Sequence, residues 1–435
     1  MNFYDREKEL SLLKSIELQS EQAAKMTVLV GRRRIGKTSL LVKAYSDKML
    51  YFFVAKKNEQ LLCEEFAEEI RSKLKVKLFG EFKTFKSLFG YLMDLSRSMH
   101  FTLVIDEFQE FSTINPAVYS EMQHIWDSNK NDSRINLILC GSIYSLMSRI
   151  FEHAKEPLFG RATGRIHLRA FDIATIKDIL SDHHPNYTAE DLLAFYTITG
   201  GVAKYVELLT ESGSFTLDTI LDVILSENSF FLDEGRNVLI DEFGKEYGNY
   251  FSVLSLIAAS KTSRSEMESI MEGSVGGFLD RLESEFGLIK RVKPILSKPN
   301  SRSVKYYIVD NFLNFWFRFI YKSRSAIEIR NLEYVRQIIK RDYTTYSGRM
   351  LEKYFMQIMI ESGEYSQIGA YWENGNQNEI DIVGVNELNK SIVFAEVKRQ
   401  KASIVIPLLK EKAKNLQQQF KGYDAEFKAL SMEDM

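Results

Sequence analysis

The plainest chemistry in the chain sits in one short run, Gly31-Arg32-Arg33-Arg34-Ile35-Gly36-Lys37-Thr38. It follows the pattern G-x4-G-K-S/T. Glycines in such a loop let successive backbone N–H groups curl around a phosphate, and the dipole of the helix that follows adds to the attraction. Lys37 would reach the β- and γ-phosphates, and Thr38 would ligate Mg2+. A second run, Leu103-Val104-Ile105-Asp106-Glu107, ends in two carboxylates. Asp106 suits the Mg2+ shell, and Glu107 suits polarising an attacking water. Ser142, after the apolar run 135–140, is either a polar sensor of the γ-phosphate or a turn serine. Arg161, in Pro157-Leu158-Phe159-Gly160-Arg161, is either a surface residue or a guanidinium that neutralises charge on a transferred phosphoryl group. It can serve its own subunit or a neighbouring one, which leaves a homo-oligomer open. The cofactors expected are ATP and Mg2+.

A second cluster lies near the C-terminus. Glu379-Ile380-Asp381-Ile382-Val383 precedes a turn at 386–390, and Ile392-Val393-Phe394-Ala395-Glu396-Val397-Lys398 follows. Side chains alternate along a strand, so Glu396 and Lys398 share a face. A hairpin brings Asp381 beside them. Two carboxylates on one sheet face are costly unless a divalent cation binds there. Residues 398–428 hold eight Lys/Arg against three acids. That excess suits a nucleic-acid backbone, and DNA is the partner expected, although a solvated helix face has the same composition.

These residues need elements to hold them. Short apolar runs at 25–30, 51–54, 101–105 and 135–140 alternate with helical stretches, which predicts a parallel sheet with crossover helices over residues 1–170. Residues 171–244 read as a helical lid. Residues 245–310 read as three helices and a two-stranded wing, a winged helix-turn-helix. Its third helix carries Asp280, Arg281, Glu283 and Glu285, and its wing carries Lys290, Arg291, Lys293, Lys298 and Arg302. Acids facing phosphates repel them, so a packing or switch module is expected rather than a reader of DNA sequence. Residues 311–345 form a helical connector, in which Phe312, Phe315, Trp316 and Phe319 recur at helical spacing and read as core. Residues 346–435 follow as helix, three strands, helix and strand. The fold class expected is therefore multi-domain α/β.

Composition excludes several alternatives. Lys+Arg number 57 and Asp+Glu 59, so contacts with nucleic acid must be local. Two cysteines, Cys63 and Cys140, exclude a disulfide framework and a zinc knuckle. No run of 18 uncharged apolar residues is present, and residues 1–6 turn charged at once, so a cytoplasmic protein without a membrane partner is expected.

The loop 31–38, Val104–Phe108, Leu158–Ala162 and the opening Phe3-Tyr4-Asp5-Arg6-Glu7 together resemble the archaeal-type ATPase family, in the STAND branch of AAA-like P-loop ATPases. The resemblance implies that Phe3, Arg6 and Glu7 pack near the adenine and that Arg161 senses phosphate. Thr199-Gly200-Gly201-Val202-Ala203-Lys204-Tyr205 is similar to a further family motif, with Ala203 where proline is usual. The C-terminal segment resembles the PD-(D/E)XK nuclease family, a restriction-endonuclease-like α/β fold. By that resemblance Asp381 and Glu396 hold Mg2+ or Mn2+, Lys398 orients water, and Glu352 on the preceding helix completes the site. Asp310–Phe319, Trp372 and Glu379-Ile380-Asp381 are also similar to the domain of unknown function that follows archaeal-type ATPases. Two functions are expected from these features: an ATP-driven switch controlling a metal-dependent DNA nuclease, or a nucleotide-dependent scaffold whose nuclease-like domain only binds.

Overall fold

Apolar runs with charge-free centres can bury both faces, and the four expected runs become the inner strands of one sheet. In the computed structural model these are β1 (Lys25–Val30), β2 (Met49–Phe53), β3 (Phe101–Asp106) and β4 (Ile135–Gly141). A fifth strand, β5 (Gly164–His167), pairs with β1 at the edge. All pairings are parallel and the order is β2-β3-β4-β1-β5. The structure describes every residue except 1–2, 47–48, 79, 143, 244–246, 299–300, 302, 374 and 376. The chain divides into two compact units, residues 3–170 and residues 171–435.

In the first unit the sheet order explains the site. β1 lies centrally, flanked by β4, and β3 lies beyond β4, so the C-terminal ends of all three open on one edge. That edge is where crossover connections leave room for a ligand. Aromatic side chains fill the space beneath: Phe52 stacks on Phe66 at 4.3 Å, and Phe85 meets Phe111 at 4.8 Å.

The second unit begins with helices Ile173–His183, Ala189–Thr199, Ala203–Glu211, Leu217–Ile224 and Phe230–Phe243. The Gly200-Gly201 pair makes the turn between the second and third. A Cβ on Gly201 would lie 2.2 Å from the carbonyl oxygen of Phe171, and its φ of +75° suits glycine. Next come helices Tyr247–Ala258, Arg264–Met271 and Gly276–Ser284, then β6 (Ile289–Val292) antiparallel to β7 (Lys305–Ile308). This is the element order expected for 245–310.

The helix Asn311–Phe315 runs into a π-helical turn, Trp316–Tyr321. Phe312, Phe315, Trp316 and Phe319 are all buried, and Phe312 meets the rings of Tyr205 and Phe231, as a core stripe should. One departure concerns the next segment. A single helix runs from Leu332 to Glu361, so the boundary expected at 345/346 falls inside it. Gly348 lies mid-helix with open space around its Cβ position, and one glycine costs only about 1 kcal/mol there. The C-terminal sheet has the order β11-β10-β9-β8, built from β8 (Gln367–Tyr371), β9 (Ile380–Asn386), β10 (Ser391–Val397) and β11 (Asp424–Leu430). The helix Ile406–Gln417 carries the crossover between the parallel pair β10 and β11. Among the described residues no helix is long and apolar enough to cross a membrane.

Candidate functional site

The loop after β1 turns into the helix Lys37–Tyr45 at Gly36, whose φ of +95° only glycine adopts without strain. Lys37 is buried, and its Nζ donates to the carbonyl oxygens of Gly31 at 2.7 Å and Arg32 at 3.3 Å. The lysine thus folds over the loop that would surround a phosphate. Burial pushes its pKa down, while Glu107 and Asp106 favour its charge.

Asp106 ends β3 and is buried. Its Oδ1 accepts the backbone N–H of Glu107 at 2.9 Å, and its Oδ2 accepts the hydroxyl of Tyr51. Tyr51 also hydrogen-bonds the Thr38 side chain. Glu107 has a left-handed backbone with φ of +52°, a conformation costly for a non-glycine residue and frequent at functional sites. Its Oε2 accepts from Ser142 Oγ at 2.7 Å and from Gln109 Nε2 at 2.5 Å. Ser142 therefore orients the Glu107 carboxylate in this structure. Tyr51 and Gln109 were not singled out from the sequence. Each sits in an apolar or mixed run where nothing but the three-dimensional register betrays it.

The opening residues divide. Phe3 is 39% exposed with Lys43 Nζ 5.6 Å from its ring centre, so it lies beside the helix that follows the loop. Glu7 starts the helix Glu7–Ser20. Arg6 is buried, donates to the Arg169 carbonyl at 2.7 Å and lies near Asp5 and Glu9. It ties the N-terminal segment to the end of β5.

Arg161 lies elsewhere. It donates to Asp127 Oδ2 at 3.1 Å and to the Phe159 carbonyl at 2.8 Å. Two residues on, Thr163 N–H bonds the carbonyl of Met26, at the start of β1. The phosphate loop leaves the other end of that strand, about 15 Å away at 3.3 Å per residue. Arg161 therefore does not join Lys37, Asp106 and Glu107 within its own subunit, which corrects the reading that placed it on its own phosphate.

In the C-terminal sheet the register pairs Ile382 with Ala395 and Val383 with Phe394, which sets Asp381 opposite Glu396 on one face. Asp381 Oδ2 accepts the Val397 N–H at 2.8 Å. Lys398 Nζ lies 3.3 Å from Glu396 and 3.7 Å from Asp381. Glu352, on the helix Leu332–Glu361, completes the electrostatic group. Burial, and then the charge of Asp381, push its pKa up to about 8. Burial also raises Asp381, against the pull of Lys398. For Lys398 burial opposes the charge, but Asp381, Glu396 and Glu352 outweigh it and the net shift is upward.

The expected metal cage does not appear. Lys412, from the helix Ile406–Gln417, places Nζ 3.1 Å and 3.0 Å from the two oxygens of Glu396. Among the described residues no group of three or more His, Cys, Asp or Glu is arranged to hold a metal ion. Asp381, Glu396 and Glu352 therefore do not fit Mg2+ or Mn2+ as a hard-cation site. The negative charge is balanced by Lys398 and Lys412 instead. Lys412 was read only as part of a basic stretch; its distance in sequence from Glu396 hid the pairing.

The β6–β7 hairpin is also committed. Lys305 Nζ lies 2.7 Å from Glu379 and 4.5 Å from the centre of the Trp372 ring, while Trp372 Nε1 donates to Ser303. Ile295 N–H bonds the Ala370 carbonyl on β8. Arg291 Nε lies 3.4 Å from Glu283. Arg302 lies outside the described residues.

The first unit thus has the parallel sheet, loop and carboxylate strand of a P-loop ATPase. Residues 3–209 match an ATPase domain found predominantly in Archaea, and residues 316–416 match an archaeal and bacterial domain of unknown function. The chain carries an archaeal-type ATPase domain followed by that domain. An uncharacterised protein of Methanocaldococcus jannaschii is 29% identical over 409 residues, which is 91% of this chain and 87% of the relative. A second uncharacterised protein of that organism is 40% identical over 55 residues, covering 13% of this chain and 53% of its own length. A Walker-type ATPase of Pyrococcus abyssi is similar in structure, with TM-score 0.55 and 19% identity over 73% of this chain and 96% of the other.

Proposed function

We propose that the chain is a STAND-type switch that binds ATP with Mg2+ and hydrolyses it in residues 3–170, and that this cycle governs what the C-terminal domain engages. The observation that carries the reading is the convergence of Lys37, Asp106 and Glu107 at one sheet edge, with Ser142 holding Glu107. Lys37 would hold the β- and γ-phosphates, with Thr38 and Asp106 toward Mg2+. The metal's contribution is to neutralise phosphate charge. Glu107, held by Ser142 and Gln109, is oriented to accept a proton from an attacking water. Phosphate release from ATP, measured with Mg2+ and with chelator, tests this; a protein that binds no nucleotide under either condition overturns it.

For the C-terminal domain the scaffold reading has the stronger support. Lys398 and Lys412 already neutralise Glu396, and the winged-helix hairpin rests on β8. The basic stretch 398–428 is suited to DNA held by its backbone. Cleavage of DNA is the second reading, favoured by the cross-strand pair Asp381–Glu396 with Lys398 beside it. Plasmid incubated with Mg2+ or Mn2+, with and without ATP, separates the two. Nicking lost in Asp381→Ala establishes the second reading. Gel retardation without nicking establishes the first.

A further inference from the structure

Tyr51 has a place in the nucleotide site that its sequence context conceals. It lies on β2, the edge strand, and pairs with Val104 of β3, two residues before Asp106. Its half-buried side chain runs toward the C-terminal end of the sheet, and its hydroxyl meets two side chains, Asp106 and Thr38. Those are the two that the P-loop pattern assigns to Mg2+. Two oxygens bridged by one hydroxyl lie at most about 6 Å apart, given O–H···O distances of up to 3.0 Å. That span suits a divalent cation that keeps part of its water shell, because Mg2+ binds through few protein oxygens and retains several waters. A tyrosine serving the core alone would have no reason to direct its hydroxyl at both.

We propose that Tyr51 is a positioning residue for Mg2+ in the nucleotide site: its hydroxyl fixes the Asp106 carboxylate relative to Thr38 at a separation suited to a hydrated cation. The inference rests on the ATP–Mg2+ reading above and adds the residue that sets metal affinity. Outer partners of metal-binding carboxylates typically alter metal affinity by about 10–100-fold when removed. Tyr51→Phe keeps the ring in its packing and removes only the hydroxyl.

The test is binding of a fluorescent ATP analogue to the full chain, titrated with Mg2+ and repeated in EDTA. Tyr51→Phe should raise the Mg2+ concentration for half-maximal binding about 10–100-fold and leave binding in EDTA unchanged. In an Asp106→Asn background, the same substitution should add nothing, because the two residues act through one contact. Equal Mg2+ dependence in Tyr51→Phe and wild type overturns the inference while leaving the ATP reading intact. So does an equal loss with Mg2+ and EDTA, which marks a purely structural tyrosine. Wild type that binds no nucleotide overturns the ATP reading and this inference with it.

Discussion

Ser142, just past the end of β4, donates a 2.7 Å hydrogen bond to Oε2 of Glu107, just past the end of β3. The parallel register sets Ile105 beside Leu139, so the two strands deliver these side chains to the same sheet edge. A carboxylate held by two donors keeps its direction but loses some basicity. Glu107→Gln should therefore retain nucleotide and slow hydrolysis about 10²–10⁴-fold, the usual loss of a general base. Ser142→Ala should cost less, about tenfold in turnover, since Gln109 still holds the carboxylate and one hydrogen bond to a charged group contributes about 1.5–3 kcal/mol. Single-turnover hydrolysis with binding measured in parallel checks both. A Ser142→Ala variant slower than Glu107→Gln would show that Ser142 acts on phosphate directly.

Lys37 illustrates how a buried cation is tolerated. Its ammonium sits on the loop's own carbonyl oxygens and feels the carboxylates of Asp106 and Glu107. Removing it leaves those carboxylates facing any incoming phosphate. Lys37→Ala should abolish ATP binding at concentrations that saturate wild type, read by equilibrium binding of labelled ATP. Unchanged turnover in this variant would falsify the assignment of the loop.

Arg161 pairs with Asp127 on a partly exposed surface, where an ion pair contributes about 0–1 kcal/mol. Breaking it is therefore cheap, and the arginine is available to a second copy of the chain. If a neighbouring subunit's phosphate recruits it, turnover per subunit should fall on dilution, and Arg161→Ala should remove that concentration dependence. Flat turnover across dilution with full activity of Arg161→Ala would make the residue part of the surface only. Sedimentation at matching concentrations reports whether copies associate.

The nucleotide site was legible because its residues are local: a loop, a strand end, and a strand next to it. β1 to β4 stood out as apolar runs. β5 did not, because Gly164-Arg165-Ile166-His167 has one fully buried position and reads as a turn. The cross-strand pairing of Asp381 with Glu396 followed from alternation along a hairpin. Lys412 and Lys305 could not be placed the same way. Each reaches its acid from another element, and long-range ion pairs leave no periodic trace in sequence. The metal expected at Asp381, Glu396 and Glu352 was inferred from charge alone, and the charge is met by those lysines.

Glu352 makes the last prediction. Its pKa is pushed up to about 8, first by burial and then by Asp381. The sign follows from proton linkage. Between about pH 4.5 and 8 the folded chain holds a proton on Glu352 that the unfolded chain has released. Unfolding in that window releases protons, so Glu352 makes stability fall as pH rises. Glu352→Gln is neutral throughout and removes this dependence. It should raise the thermal midpoint of the full chain at pH 8, with the gain shrinking toward zero near pH 5. Thermal melts at half-unit pH steps, monitored by circular dichroism, give the difference curve. A gain of the same size at pH 5 and pH 8 would mean that Gln merely packs better there. A loss at pH 8 would mean that the ionised carboxylate is held by Lys398 more strongly than burial opposes it, and that the cluster stores a full negative charge at neutral pH.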